Sequence, residues 1–179
     1  MDIADGGALG EMALRLGVAA ALGCVLGLDR EMRGKDAGMR THMLIALGAA
    51  TTAVLTIELY EALHEGFPDT QADPLRMIEG VMAGIGFLGA GAIIRSGGNV
   101  HGMTTAAGIW ICGAIGLACG AGLYTVAGIA FGFAVLVMTA LWFVEKGLLR
   151  WSRGRAGSPA GVDPAAPALG AGRSHEEGV

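Results

Sequence analysis

The side chains with chemistry to offer gather at the edges of long apolar runs. Asp29, Arg30 and Glu31 close one run, Arg40, Thr41 and His42 open the next, and Arg95, Asn99, His101, Thr104 and Thr105 occupy the corresponding junction farther along. Groups of these types can pair with one another, hold a ligand or stay hydrated, but cannot stand alone in an apolar medium. At the opposite ends of the runs, Glu58, Glu61, Glu65, Asp69, Asp73 and Glu79 share one base, Arg76. Oxygen ligands of this kind suit Mg²⁺, with Glu58 and Glu79 as candidates; a solvated acidic loop is the alternative. Glu11 and Arg15, spaced i, i+4, share a helix face. They read either as an interfacial ion pair or as one wall of a polar vestibule.

Nothing in the spacing points to catalysis. His42, His64, His101 and His175 form no HExxH pair, no Ser or Cys has an evident base, and no phosphate loop exists. An enzyme is not expected, and no cofactor is implied. Cys24, Cys112 and Cys119 lie inside apolar runs without a CxxC or Cys/His ladder, which reads as small buried hydrophobes.

The elements that must position these residues are membrane helices. Hydrophobic residues make up 53% of the 179 and charged residues only 16%, with mean hydropathy +0.57; an average soluble domain carries about 25% charged residues. A net charge of −4 argues against a nucleic-acid partner. The first ten residues contain Asp2 and Asp5 and no base, unlike a cleavable signal peptide. A first span from about residue 8 to 28 covers the ~20 residues a bilayer requires. A charged loop follows over 29–40, then a second span over 41–57 and an acidic loop. Pro74 suits the first turn of the third span. From Gly102 to Val144 no residue carries a full charge, about twice the ~20 residues of one span, and Gly120-Ala121-Gly122 marks the turn inside it. The expected fold is all-α, with five transmembrane helices.

Glycine spacing supplies the expected packing surfaces. Without a hydrophobic effect between helices in lipid, association depends on close backbone approach. Gly23 and Gly27, Gly80 and Gly84, Gly116 and Gly120, and Gly128 and Gly132 each show GxxxG spacing, while Gly86, Gly89 and Gly91 extend the third span's set. Gly80 to Trp110 reads as a closely packed helical hairpin around a Gly-Gly-Asn loop. Gly84, Gly86 and Gly89 also satisfy GxGxxG. No strand precedes them, and Ile109 stands where a dinucleotide site places an acid, so nucleotide binding is not expected.

Orientation follows from the bases. With the N-terminus outside, ten of the twelve Lys and Arg residues fall on the inner side, leaving Arg15 and Arg76 at outer helix ends. The chain is therefore expected N-out and C-in. Residues 1–150 form the membrane domain, and 151–179, rich in Gly, Ala, Pro and Ser, read as a disordered cytoplasmic tail. A shift of 64 aligns Ala37-Gly38-Met39-Arg40-Thr41 with His101-Gly102-Met103-Thr104-Thr105. The four helices thus read as two similar hairpins, parallel repeats about an axis near the membrane normal, with the fifth helix extra. The first-named polar residues then share the cytoplasmic ends of four helices. They act either as interfacial salt bridges fixing register or as a small cytoplasmic-facing site or docking surface. Arg40 and Arg95 are expected to pair with Asp29 or Glu31, and Arg33 to stand in solvent.

Four motifs in order carry a resemblance. Gly27-Leu28-Asp29-Arg30-Glu31, Ala37-Gly38-Met39-Arg40-Thr41-His42, Gly84-Ile85-Gly86-Phe87-Leu88-Gly89-Ala90-Gly91 and Gly102-Met103-Thr104-Thr105-Ala106-Ala107 with Trp110 together resemble the MgtC/SapB family over roughly residues 10–145. The resemblance implies a multi-pass bacterial inner-membrane protein of a virulence-associated family linked to growth in low magnesium and survival inside macrophages. It further implies action through a partner membrane protein, such as the proton-driven ATP synthase, rather than carriage of magnesium. Longer members carry a soluble C-terminal domain resembling an ACT domain, and this chain is expected to be the short, SapB-like form. A small transporter or channel at the repeat or subunit interface is the alternative, and GxxxG faces also allow a homo-oligomer. No ionisable residue falls near the middle of any expected span, which favours regulation over transport.

Overall fold

Among the described residues the elements in order are five helices and one short hairpin: α1 (Gly6–Met32), α2 (Met39–Gly66), α3 (Leu75–Gly91), β1 (Ile94–Ser96), β2 (Asn99–His101), α4 (Met103–Gly120) and α5 (Tyr124–Arg155). The computed structural model describes residues 6–67, 73–96 and 99–155, and all of their side chains except those of 94–96, 99 and 141–155. By its contacts the chain divides after Thr139; the packing below concerns the first unit, and the described part of the second is the continuation of α5.

Among the described residues three helices, α1, α2 and α4, are long and apolar enough to cross a membrane, and Tyr124–Ala140 of α5 is a shorter apolar helix. α3, with 17 residues, falls short of the ~20 a simple crossing needs. The helices also overrun their expected ends. Asp29 to Met32, read as loop, form the last turn of α1, and α2 carries Glu58, Glu61 and Glu65, read as an acidic loop, on its C-terminal turns. Helix propagation adds one hydrogen bond per residue, so an apolar core drives helix on into flanking Glu, Leu and Met. α5 likewise continues to Arg155, past the boundary at 150, while 156–179, the rest of the expected tail, lie outside the described residues. Asn99 of the expected Gly-Gly-Asn loop lies instead on β2, opposite Ser96, in an antiparallel pair that also sets Ile94 opposite His101 and Arg95 opposite Val100; Gly97 and Gly98 lie outside the described residues.

α4 is the central helix. More than half of its span is buried, 56% against 17% and 22% for α1 and α2. A helix that is apolar on every side is placed inside, and α4 is apolar or small throughout. It meets α2 through Gly116 and Gly120, where a Cβ would overlap the backbone of Ala46 and Ala50. Both numbers rise together, so α2 and α4 run parallel. α1 runs antiparallel to α2: Gly23 lies against His42 and Gly27 against Met39, where a Cβ would stand 2.5 Å from the Met39 Cα. One core cluster joins Ala19 and Leu26 of α1, Ala46 and Ala50 of α2 and Cys112, Ile115 and Cys119 of α4, with Ala127 of α5. Cys112 and Cys119 are therefore buried hydrophobes, and Cys24 is half-buried.

Other glycines do not pack as their spacing predicts. Among the described residues, Gly80, Gly84, Gly86 and Gly91 of α3 and Gly128 and Gly132 of α5 have nothing within 4 Å of where a Cβ would stand. α3 turns Ile85 and Gly89 inward, so its GxxxG pair lies off the buried line. Gly89 approaches Ala106, and Ile85 fills the space over Gly113, a contact that the GxxxG pattern does not mark.

The two helices expected to be repeats begin at Met39 and Met103, each preceded by a glycine N-cap, Gly38 and Gly102. They touch at a different offset: Cys112 meets His42, 70 positions away. A 64-residue repeat packed at an offset of 70 places α4 six residues, about 9 Å at 1.5 Å per residue, lower along the bundle than α2. A pure rotation about the bundle axis does not relate the hairpins.

Candidate functional site

The polar residues at the α1–α2 and α3–α4 junctions separate into a buried set and an exposed set. α1 buries Ala19, Gly23, Leu26, Gly27 and Arg30, one line at steps of three and four. Arg30 continues that line and is 4% exposed. Its Nη2 donates to Thr105 Oγ1 at 2.7 Å, tying the end of α1 to the first turn of α4. Thr105 is itself 2% exposed, while its neighbour Thr104 faces outward.

His42 is fully buried. Its Nδ1 lies 3.0 Å from the Gly38 carbonyl, which can only accept, so Nδ1 carries the hydrogen. Nε2 faces Gly108, where a Cβ would come within 3.5 Å, and has no partner among the described residues; neither has Arg30 Nε. Arg30 is an electrostatic neighbour of the ring. The His42 carbonyl accepts from Cys112 Sγ at 3.2 Å, which sets His42 beside the middle of α4 rather than at its mouth. His42 thus lies deeper among the helices than its place at the start of α2 suggests, although the expected span middles themselves carry no ionisable residue. His42 opens α2, but α4 starts six residues lower.

The carboxylates hold the turn. Glu31 Oε2 accepts from the Met39 amide at 2.9 Å, capping α2 from eight residues away, while Gly38 offers no side-chain cap. A negative charge there also complements the helix dipole. Asp29 Oδ1 accepts from Arg33 Nε and Nη2 at 2.9 and 2.7 Å. Arg33 is therefore the partner of Asp29, not the solvated residue expected, and Arg40 pairs with neither carboxylate among the described residues. The i, i+4 spacing within one helix favours Arg33 because little chain entropy is lost in closing it.

Arg40 and Thr41 are exposed at the start of α2, and His101 is exposed on β2. Arg95 and Asn99 lie on β1 and β2, their side chains outside the described residues. Gly102, which joins the hairpin to α4, has φ +87°, and a Cβ there would overlap the Ala92 carbonyl, a place only glycine fills comfortably. At the other end of the bundle, Arg15 pairs with Glu11 and donates Nη1 to the Gly120 carbonyl at 3.2 Å, a cation at the C-terminus of α4. Glu58 borders a small cleft with Glu11 and Arg15; Glu79 is exposed on α3. Among the described residues no three His, Cys, Asp or Glu side chains converge as a metal site would.

Apolar helices of membrane-spanning length, packed through glycine and alanine with ionisable groups near their ends, define a multi-pass membrane protein. The MgtC family profile matches residues 16–146, and the chain belongs to that family. It is 40% identical over 121 residues to the putative magnesium transporter YhiD of Escherichia coli K12, covering 64% of this chain and 53% of that protein. It is 40% identical to protein MgtC of Brucella abortus over 133 residues, 74% of this chain and 52% of the relative. Protein SapB of Bacillus subtilis is 37% identical over 141 residues, 76% of this chain and 59% of SapB. The chain spans about half the length of the curated relatives it matches. SapB too extends well beyond the match, so length does not set this chain with SapB rather than MgtC. No solved structure matches it.

Proposed function

We propose that this chain is a non-catalytic inner-membrane protein of the low-magnesium response that acts by binding and regulating a partner membrane protein. Five crossings, with the N-terminus outside and the C-terminus inside, accompany this reading on the strength of the ten inner bases. One observation carries the choice of regulation over conduction: the polar group buried between α1 and α4 is a guanidinium, Arg30, bonded to Thr105 and neighbouring His42. A fixed positive charge at that junction repels a divalent cation, and Mg²⁺ gives up its water only to oxygen ligands. The open glycine faces of α3 and α5 support a partner or a second copy, since small residues without neighbours in the chain leave room for close helix approach.

The name of the Escherichia coli relative favours a second reading, magnesium transport. Deletion is expected to slow growth in magnesium-poor medium while leaving magnesium uptake in place. Purified protein in liposomes decides between the two. Saturable magnesium flux that is lost on Arg30→Ala or Thr105→Val replaces regulation by transport.

A further inference from the structure

Between the start of α2 and the end of α3 lies a groove of about 440 Å³, within the ~300–1,000 Å³ typical of small-molecule sites. Leu44, Leu88 and Ile109 form its walls, and Asp36, Arg40 and Thr41 stand at one end. Leu44 and Leu88 are 68% and 55% exposed, so the apolar length of the groove opens to the side of the bundle. No ion pair joins Asp36 or Arg40 to another described residue, although the two line the same rim. An apolar trench ending in a cation and an anion that pair with no described residue is complementary to a molecule with an apolar body and a zwitterionic head. A hydrocarbon chain alone would leave both charges unmatched; a purely anionic head would face Asp36.

We propose that this groove binds a phospholipid whose headgroup carries both a phosphate and a primary ammonium. The Arg40 guanidinium donates to the phosphate, in the forked geometry arginine offers such oxygens, and the Thr41 hydroxyl adds a further donor. Asp36 accepts from the ammonium, and an acyl chain runs along Leu44, Leu88 and Ile109. Arg40 thus acquires its counter-charge from the membrane, while the neighbouring carboxylates are engaged elsewhere, Asp29 with Arg33 and Glu31 with the Met39 amide. The site is independent of the magnesium reading.

The test uses the full chain, reconstituted in nanodiscs of equal phosphatidylethanolamine and phosphatidylglycerol, with retained lipid read by native mass spectrometry after release. The wild type is expected to keep phosphatidylethanolamine in preference. Arg40→Gln should reduce retention of both lipids about tenfold, the equivalent of one lost charge-assisted contact of ~1.4 kcal/mol. Asp36→Asn should abolish the preference without lowering phosphatidylglycerol. Gly91→Leu, placed where nothing lies within 4 Å, should fill the trench and lower both while the protein stays folded by thermal unfolding. Equal retention of the two lipids by the wild type, an unchanged preference in Asp36→Asn, or a lipid-free dimer in which the groove is closed by a second copy would each overturn the proposal.

Discussion

Arg30 and Arg40 are both arginines beside an apolar run, yet they hold unlike places. Arg30 lies on the buried line of α1 and donates to Thr105; Arg40 is exposed. Thr105→Val keeps the shape of the side chain and removes the acceptor from a buried charged donor, a change worth about 1.5–3 kcal/mol for a hydrogen bond to a charged group. Arg40→Ala, on the surface, should stay within about 0.5 kcal/mol. Thermal unfolding of the purified variants checks the order, and an Arg40→Ala as damaging as Thr105→Val would show that the exposed arginine, not the buried one, fastens the junction. Asp29 belongs with Arg33, so Arg33→Ala should destabilise slightly, as an i, i+4 pair worth ~0.3–0.5 kcal/mol allows.

Among the helices, α4 sets the spacing of its neighbours through the absence of side chains. Gly116 and Gly120 receive the α2 backbone at Ala46 and Ala50, and Gly113 receives Ile85 of α3. A methyl at Gly116 would press on backbone, which cannot swing aside. Gly116→Ala is therefore expected to lower stability by about 1–3 kcal/mol, the range for overpacking. Gly84→Ala meets open space and should be neutral or stabilising, by up to ~1 kcal/mol, because alanine is the better helix former. Comparing the two by thermal unfolding separates packing from propensity; a loss at Gly84 equal to that at Gly116 would mean that α3 uses its GxxxG face against a second copy.

Over the whole molecule, the distribution of charge makes a prediction about sidedness. A membrane-impermeant thiol reagent applied to intact cells should label Gly66→Cys, at the C-terminal end of α2, and miss Lys35→Cys in the α1–α2 turn, because the proposed orientation assigns ten of the twelve bases to the inner side. The native cysteines are buried or half-buried and contribute little background. Labelling at Lys35 alone would invert the topology. The six-residue displacement of α4 relative to α2 also belongs to this scale. It lowers Thr105 to the level of the α1–α2 turn, where Arg30 can reach it, and brings His42 beside Cys112.

The membrane class, the helices, the Gly120–Gly122 turn and the family were legible from the sequence by itself, because each depends on composition or on a pattern local in the chain. The motif glycines Gly23, Gly27, Gly116 and Gly120 were legible too, since their spacing coincides with the faces that become buried. Arg30 was within reach, as the next step in the line of Ala19, Gly23 and Leu26. What only the tertiary structure decided is which glycine faces meet a neighbour, which of several carboxylates takes which arginine, and how far one hairpin slides against the other. GxxxG spacing is a local property, and it stands equally on the buried faces of α1 and α4 and on the open faces of α3 and α5. Burial depends on helix rotation and axial offset, which are fixed by packing between segments some 70 residues apart in the chain, as Cys112 and His42 are. No local pattern specifies that offset, and the placement of His42, the pairing of Arg30 with Thr105 and the groove beside Arg40 all follow from it.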